Sequence, residues 1–187
     1  MKRTSKPVYR VAVVGAVAAG KSTVAREIAA RIRAPHIELD ALRYEAGWVA
    51  VPQELFRARA TEAIGTERWV IEGNYSDVQD LLWVRAQLLV WLDIPLRVVL
   101  WRLIGRTVKR ILTGEEFSAG KREHVGRLLG GNSIVWWAIR SHRRRRRVYE
   151  ELTARERYAH LEVVRLRSAS EVAAWLSRAS FGESESG

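Results

Sequence analysis

Short apolar runs alternate along the chain with segments whose apolar residues recur every three or four positions. Val8 to Val14 is a β-branched run that reads as a buried strand. Lys21 to Arg33 has helical spacing and should end before Pro35, since proline disfavours the helical conformation in the residue preceding it. His36 to Leu39 reads as a short strand, and Pro52 opens a helix lasting to about Thr66. Trp69 to Glu72 reads as a strand and Asp77 to Arg85 as a short helix. Leu88 to Leu92 is the most apolar strand, and Pro95 starts a long helix toward Leu112. After a Gly-rich break, Ser133 to Leu152 reads as helical. Leu161 to Leu166 is the last strand, and Ser170 is expected to cap a final helix carrying Ala173, Ala174 and Leu176. Such alternation predicts an α/β fold: a parallel sheet with helices on both faces.

A length of 187 residues corresponds to a single domain. Residues 1–180 are expected to form it, with 181–187 a polar, disordered tail. The absence of cysteine excludes disulfides, thiolate metal sites and a Cys nucleophile. The basic start is followed by an apolar run, Val11 to Val14, too short for a signal sequence, and nothing approaches the roughly 18 apolar residues of a membrane span. A soluble, cytoplasmic monomer is therefore the expectation. The net charge is +11. Between Arg97 and Arg147, twelve Arg and two Lys face three Glu, so this one segment carries the whole surplus. Arginine suits bidentate gripping of phosphate.

Immediately after the first strand comes Gly15-Ala16-Val17-Ala18-Ala19-Gly20-Lys21-Ser22, a full G-x-x-x-x-G-K-[ST] phosphate loop. Its glycines let successive N–H groups turn inward around a phosphate, and the following helix points its positive dipole end at the same place. Gly15, Ala18, Ala19, Gly20, Lys21, Ser22 and Thr23 are the expected nucleotide contacts. Lys21 would reach the β- and γ-phosphates, Ser22 would place its hydroxyl on Mg²⁺, and Thr23 would touch the α-phosphate region.

With this loop, the segments His36-Ile37-Glu38-Leu39-Asp40-Ala41-Leu42-Arg43, Glu72-Gly73-Asn74-Tyr75 and Trp91-Leu92-Asp93-Ile94-Pro95, together with Arg102, Arg106 and the closing Arg165-Leu166-Arg167-Ser168, resemble the adenylate kinase-like family of P-loop phosphotransferases, in particular its bacterial topology modulation branch. The resemblance spans about Val8 to Leu176. It implies a three-layer P-loop NTPase fold, five parallel strands with an inserted helical lid at about 107–139, and ATP with Mg²⁺ as cofactors. It also implies transfer of the γ-phosphoryl group to a small-molecule or nucleotide acceptor. Arg102 matches a position against the adenine, and Arg106 one that grips phosphate. Arg143 represents the returning arginines, which the sequence does not separate among Arg140 and Arg143 to Arg147. Arg167 falls in the loop that surrounds the base.

On the acceptor side, the resemblance places Asp40 and Arg43 against the phosphoryl acceptor. Asp40 would serve as general base for a hydroxyl acceptor, or as a helix cap. For a monophosphate acceptor, Arg43 and Arg85 would neutralise charge. Asn74 and Tyr75 replace the Phe-Pro-Arg type segment of true adenylate kinases and either bind a polar ring or sugar, or satisfy a buried turn. Glu72 matches the position that holds Mg²⁺ through water, with Asp93 the alternative to it. Trp69, Trp91 and Trp101 are expected in the core, and none of the four histidines shows metal spacing. The competing reading is a nucleic-acid-associated ATP-binding protein that uses the Arg run, although no recognition element is visible.

Overall fold

A computed structural model describes the backbone of residues 8–113, 116–118, 121–122, 134–179 and 181. The side chains of 110–112, 116–118, 121–122, 134–138, 141, 143 and 145 are outside the described set. The principal sheet contains β1 (Arg10–Gly15), β2 (His36–Glu38), β5 (Trp69–Glu72), β6 (Leu88–Leu92) and β9 (Glu162–Leu166). Their spatial order is β2-β5-β1-β6-β9, and every pairing is parallel. β1, β5 and β6 occupy the centre and are buried almost throughout, which is why they read as continuous apolar runs. The edge strands β2 and β9 carry His36, Glu38, Glu162 and Arg165, polar residues that a sheet edge accommodates.

Alternate residues of the strands feed two cores. Val11, Val13, Val70, Val90 and Leu92 pack with Val24, Ala25 and Ile28 of α1 (Lys21–Ile32) and with Trp175 of the last helix, α7 (Ala169–Arg178). Ala12, Val14, Ile71, Leu89 and Trp91 face the other way. They pack with Phe56 of α3 (Gln53–Ala63), Leu82 and Trp83 of α4 (Ser76–Arg85), and Tyr149 of α6 (Ile134–Thr153). The result is the expected three-layer arrangement.

Several local features depart from the sequence reading. β2 stops at Glu38, where the short helix α2 (Leu39–Arg43) begins. A hairpin, β3 (Tyr44–Glu45) and β4 (Val49–Ala50), follows α2; its 3₁₀ turn carries Gly47 and Trp48 at positive φ. Ser168, not Ser170, caps α7: its hydroxyl accepts the Glu171 N–H at 3.0 Å, while Glu171 Oε2 accepts the Arg167 N–H at 2.7 Å. Trp101 is 80% exposed rather than buried. On α5 (Leu96–Thr113), Val99, Leu103 and Thr107 form the buried i, i+4, i+8 stripe, and a residue two positions from Val99 projects to the opposite side.

Residues 114–115, 119–120 and 123–133 of the lid insertion expected at 107–139 lie outside the described residues. Within that span, α5 continues through Thr113, β7 (Glu116–Ser118) pairs antiparallel with β8 (Lys121–Arg122), and α6 begins at Ile134. Among the described residues, no helix is long and apolar enough to cross a membrane.

Candidate nucleotide site and acceptor cavity

The phosphate loop leaves the C-terminal end of β1 at the centre of the sheet, the crest where parallel α/β folds bind ligands. Gly15 has φ +153°, and a Cβ there would stand 2.7 Å from the Leu92 carbonyl oxygen, so the loop can press against β6 only with glycine at this position. Ala18 (φ 57°) and Gly20 (φ 99°) are left-handed. The Ala19 N–H closes a turn on the Ala16 carbonyl at 3.2 Å. A left-handed residue in such a turn aims neighbouring N–H groups into one hollow. α1 starts there with no side-chain cap and no acidic residue in its first turn. Its orphan N–H groups and its positive end are thus left for an anion.

The ammonium group of Lys21 folds over this loop, donating to the Ala16 carbonyl at 3.2 Å. Arg102, half-buried on α5, donates to the Ala19 carbonyl at 3.3 Å. Arg106 follows one turn later and is half-buried on the same helix. Thr23 is exposed. Ser22 is half-buried and forms no hydrogen bond with a described residue. Its free hydroxyl at the second position of α1 fits the oxygen ligand that Mg²⁺ would require. Arg167 is exposed just beyond β9.

Asn74 ties the loop to the rest of the fold. Its Oδ1 accepts the Gly15 N–H at 3.1 Å, and its Nδ2 donates to the Gly15 carbonyl at 2.5 Å. The Tyr149 hydroxyl, arriving from α6, donates to the same Oδ1 at 2.8 Å. Of the two sequence readings of Asn74, the buried-turn reading describes these contacts. Tyr149 was not singled out by the sequence, because nothing local marks a tyrosine that acts 75 residues away.

Beyond Asn74, on the α4 and α6 face, lies a cavity of about 370 Å³. Val14, Leu39 and Trp83 contribute apolar wall, while Tyr75, Gln79 and Arg144 contribute polar groups. The Gln79 Nε2 is buried and has no hydrogen-bond partner among the described residues. The sequence did offer a signal for Gln79: it follows Tyr75 by four residues and so shares a helix face with it. At the mouth, the Tyr75 hydroxyl donates to Asp40 Oδ1 at 2.7 Å. Burial, and then this bond to Asp40, push the Tyr75 pKa well above its ordinary value, so it stays a protonated donor. Asp40 is exposed on α2, with its second carboxylate oxygen left for another proton.

Other expected residues are placed apart from this group. Arg85 ends α4, and its carbonyl accepts from Arg10 at the start of β1. That is the opposite end of the strands from the phosphate loop. The Arg43 guanidinium donates to the Val51 carbonyl at 2.5 Å and lies over the Phe56 ring, bracing the hairpin against α3. Asp93 is buried and accepts two bonds from Arg165, at 2.7 and 2.9 Å, with Arg146 3.5 Å away. Arg165 also reaches Glu150 at 2.9 Å, which fastens α6 to β9. Among the arginine run, then, Arg144 lines the cavity and Arg146 serves Asp93; the side chain of Arg143 lies outside the described residues.

Glu72 ends β5 with its side chain 7% exposed. Its ion-pair contact is His36 Nε2 at 3.5 Å, and Glu38 completes a group whose ligand atoms all lie within 4.8 Å of one another. Sequence spacing did not reveal this cluster, since strand pairing assembles it from separate segments.

No family model and no curated protein matches the chain. Solved structures do. A shikimate kinase from Bacteroides thetaiotaomicron is similar with a TM-score of 0.54 and 19% identity, covering 91% of this chain and 96% of its own. A gluconokinase from Sinorhizobium meliloti 1021 has a TM-score of 0.52 and 17% identity, covering 95% and 94%. A shikimate kinase from Aquifex aeolicus has a TM-score of 0.52 and 14% identity, covering 90% and 91%. The chain has the fold of P-loop small-molecule kinases.

Proposed function

We propose that the protein is an ATP-dependent phosphotransferase that moves the γ-phosphoryl group to a small molecule held in the α4–α6 cavity. The observation that carries this reading is the double role of Asn74, which both latches the first glycine of the phosphate loop and lines the cavity. A triphosphate on the loop and an acceptor in the cavity would then be separated by one side chain.

The chain's own groups would share the work. Loop N–H groups, the α1 N-terminus, Lys21 and Arg102 bind and orient the triphosphate, with Arg106 supplying further positive charge. Mg²⁺, when bound, neutralises charge on the terminal phosphates, and Ser22 is the residue that would hold it. Arg144 and Gln79 orient the acceptor. Asp40, fixed by Tyr75, receives the proton as an acceptor hydroxyl oxygen bonds to the γ-phosphorus. The bond from that phosphorus to the β–γ bridging oxygen breaks, and ADP leaves with the electron pair. The lid expected between α5 and α6 would exclude water while this occurs. The motif set of the topology modulation branch supports the same chemistry.

ADP release from ATP and Mg²⁺ in the presence of an acceptor panel tests the proposal. The panel includes shikimate and gluconate, the acceptors named by two of the similar kinases, with nucleosides and nucleoside monophosphates. Stimulation by at least one acceptor, abolished by Lys21→Ala, is expected. No stimulation by any acceptor, combined with tight and steeply salt-dependent nucleic-acid binding, would favour the competing reading.

A further inference from the structure

β2 pairs with β5 so that His36 lies opposite Val70 and Glu38 opposite Glu72. Val70 belongs to the core beneath α1, whereas Ile71 and Ile37 join the opposite core. Because side chains alternate along a strand, His36, Glu38 and Glu72 emerge together on the α1 face of the sheet edge. Glu38 and Glu72 share one register position and His36 lies two residues earlier on the same face, and the ligand atoms of all three converge within 4.8 Å. Two ligands opposite one another on an ion with bonds of about 2.2 Å are about 4.4 Å apart, so one ion reaches all three after a small adjustment.

Two further observations point to a ligand. The Glu72 side chain is more than nine-tenths buried, and His36 Nε2 stands 3.5 Å from its Oε1 without forming a hydrogen bond to it. His36 Nε2 is itself fully buried with no hydrogen-bond partner among the described residues. An unsatisfied imidazole nitrogen thus faces a buried carboxylate, and a buried carboxylate needs a counter-charge.

We propose that His36, Glu38 and Glu72 bind one divalent transition-metal ion, of the Zn²⁺ or Mn²⁺ class. An imidazole nitrogen with two carboxylates suits these ions, whereas Mg²⁺ prefers oxygen ligands and retains its waters. Glu38 is exposed, which leaves a path for the ion and room for water to complete its coordination. The site assigns Glu72 to this ion rather than to the magnesium carried by the nucleotide. The ion would clip the edge strand to β5 two residues before Asp40, and so steady the acceptor-side helix α2. None of this depends on the phosphotransfer reading.

Calorimetric titration of the nucleotide-free, full-length protein with ZnCl₂ and with MnCl₂ tests the site. One ion per chain is expected, retained against a large excess of MgCl₂, with a rise in Tm. His36→Gln should weaken it more than about tenfold. Glu38→Gln, a change at an exposed position that leaves the core intact, should weaken it by a similar factor. Absence of stoichiometric binding would overturn the proposal. So would binding that survives both substitutions, binding that MgCl₂ displaces, or binding that appears only when ATP is added.

Discussion

Replacing Asn74 with alanine removes three hydrogen bonds at once: two to the backbone of Gly15 and one from Tyr149. Each contributes about 0.5–1.5 kcal/mol net, and a Gly15 N–H left without water would add about 1–3 kcal/mol. A loss of about 3 kcal/mol follows, or about 6–12 °C in Tm for a domain of this size. Stability alone does not separate a latch from ordinary packing, so ATP affinity is the decisive readout. If Asn74 holds the loop in its phosphate-wrapping shape, calorimetry should show ATP bound about tenfold more weakly, about 1.4 kcal/mol. Tyr149→Phe removes only the outer bond and should cost about 1 kcal/mol. In the Asn74→Ala background it should cost almost nothing, because the acceptor of that bond is gone. Full additivity of the two substitutions, or unchanged ATP affinity in Asn74→Ala, would refute the latch.

Gln79→Leu removes a buried amide nitrogen with no partner among the described residues; thermal unfolding should show stability unchanged or raised by about 1 kcal/mol, while the KM for the acceptor rises severalfold. Tyr75→Phe should lower kcat more than it affects ATP binding, because it frees Asp40. The raised Tyr75 pKa also has a sign in stability: the unfolded chain loses this proton near pH 10 while the folded one retains it. Wild-type stability should therefore fall more steeply above pH 10 than that of Tyr75→Phe, as pH-dependent urea unfolding would show. Asp93→Asn leaves Arg165 without its main partner and should cost about 3 kcal/mol, with Mg²⁺-dependent ATP binding unchanged; a matching loss of that binding would restore Asp93 as a metal-serving residue.

The parts of the molecule legible in the sequence are those set by local chemistry. The central strands are apolar on both faces, the phosphate loop is a contiguous motif, and its glycines and uncapped helix follow from eight adjacent residues. What escaped depends on pairing between distant segments. Tyr149 meets Asn74 across 75 positions, and His36 meets Glu72 only through the β2–β5 register. Arg85 reads as a site residue until the end of α4 is seen beside the start of β1. Trp101 reads as a core position on its helix, whereas the phase set by Val99, Leu103 and Thr107 turns it to solvent. The hairpin after α2, with two residues in each strand, is too short to give a strand signal of its own.

Backbone amide hydrogen exchange, with and without ATP and an accepted small molecule, addresses the central arrangement most directly. ATP with Mg²⁺ should slow exchange across residues 15–24 in the wild-type protein and not in Lys21→Ala, and the small molecule should slow residues 74–83. Protection by ATP confined to the arginine run, with the loop unchanged, would contradict a nucleotide on the loop beside an acceptor in the cavity.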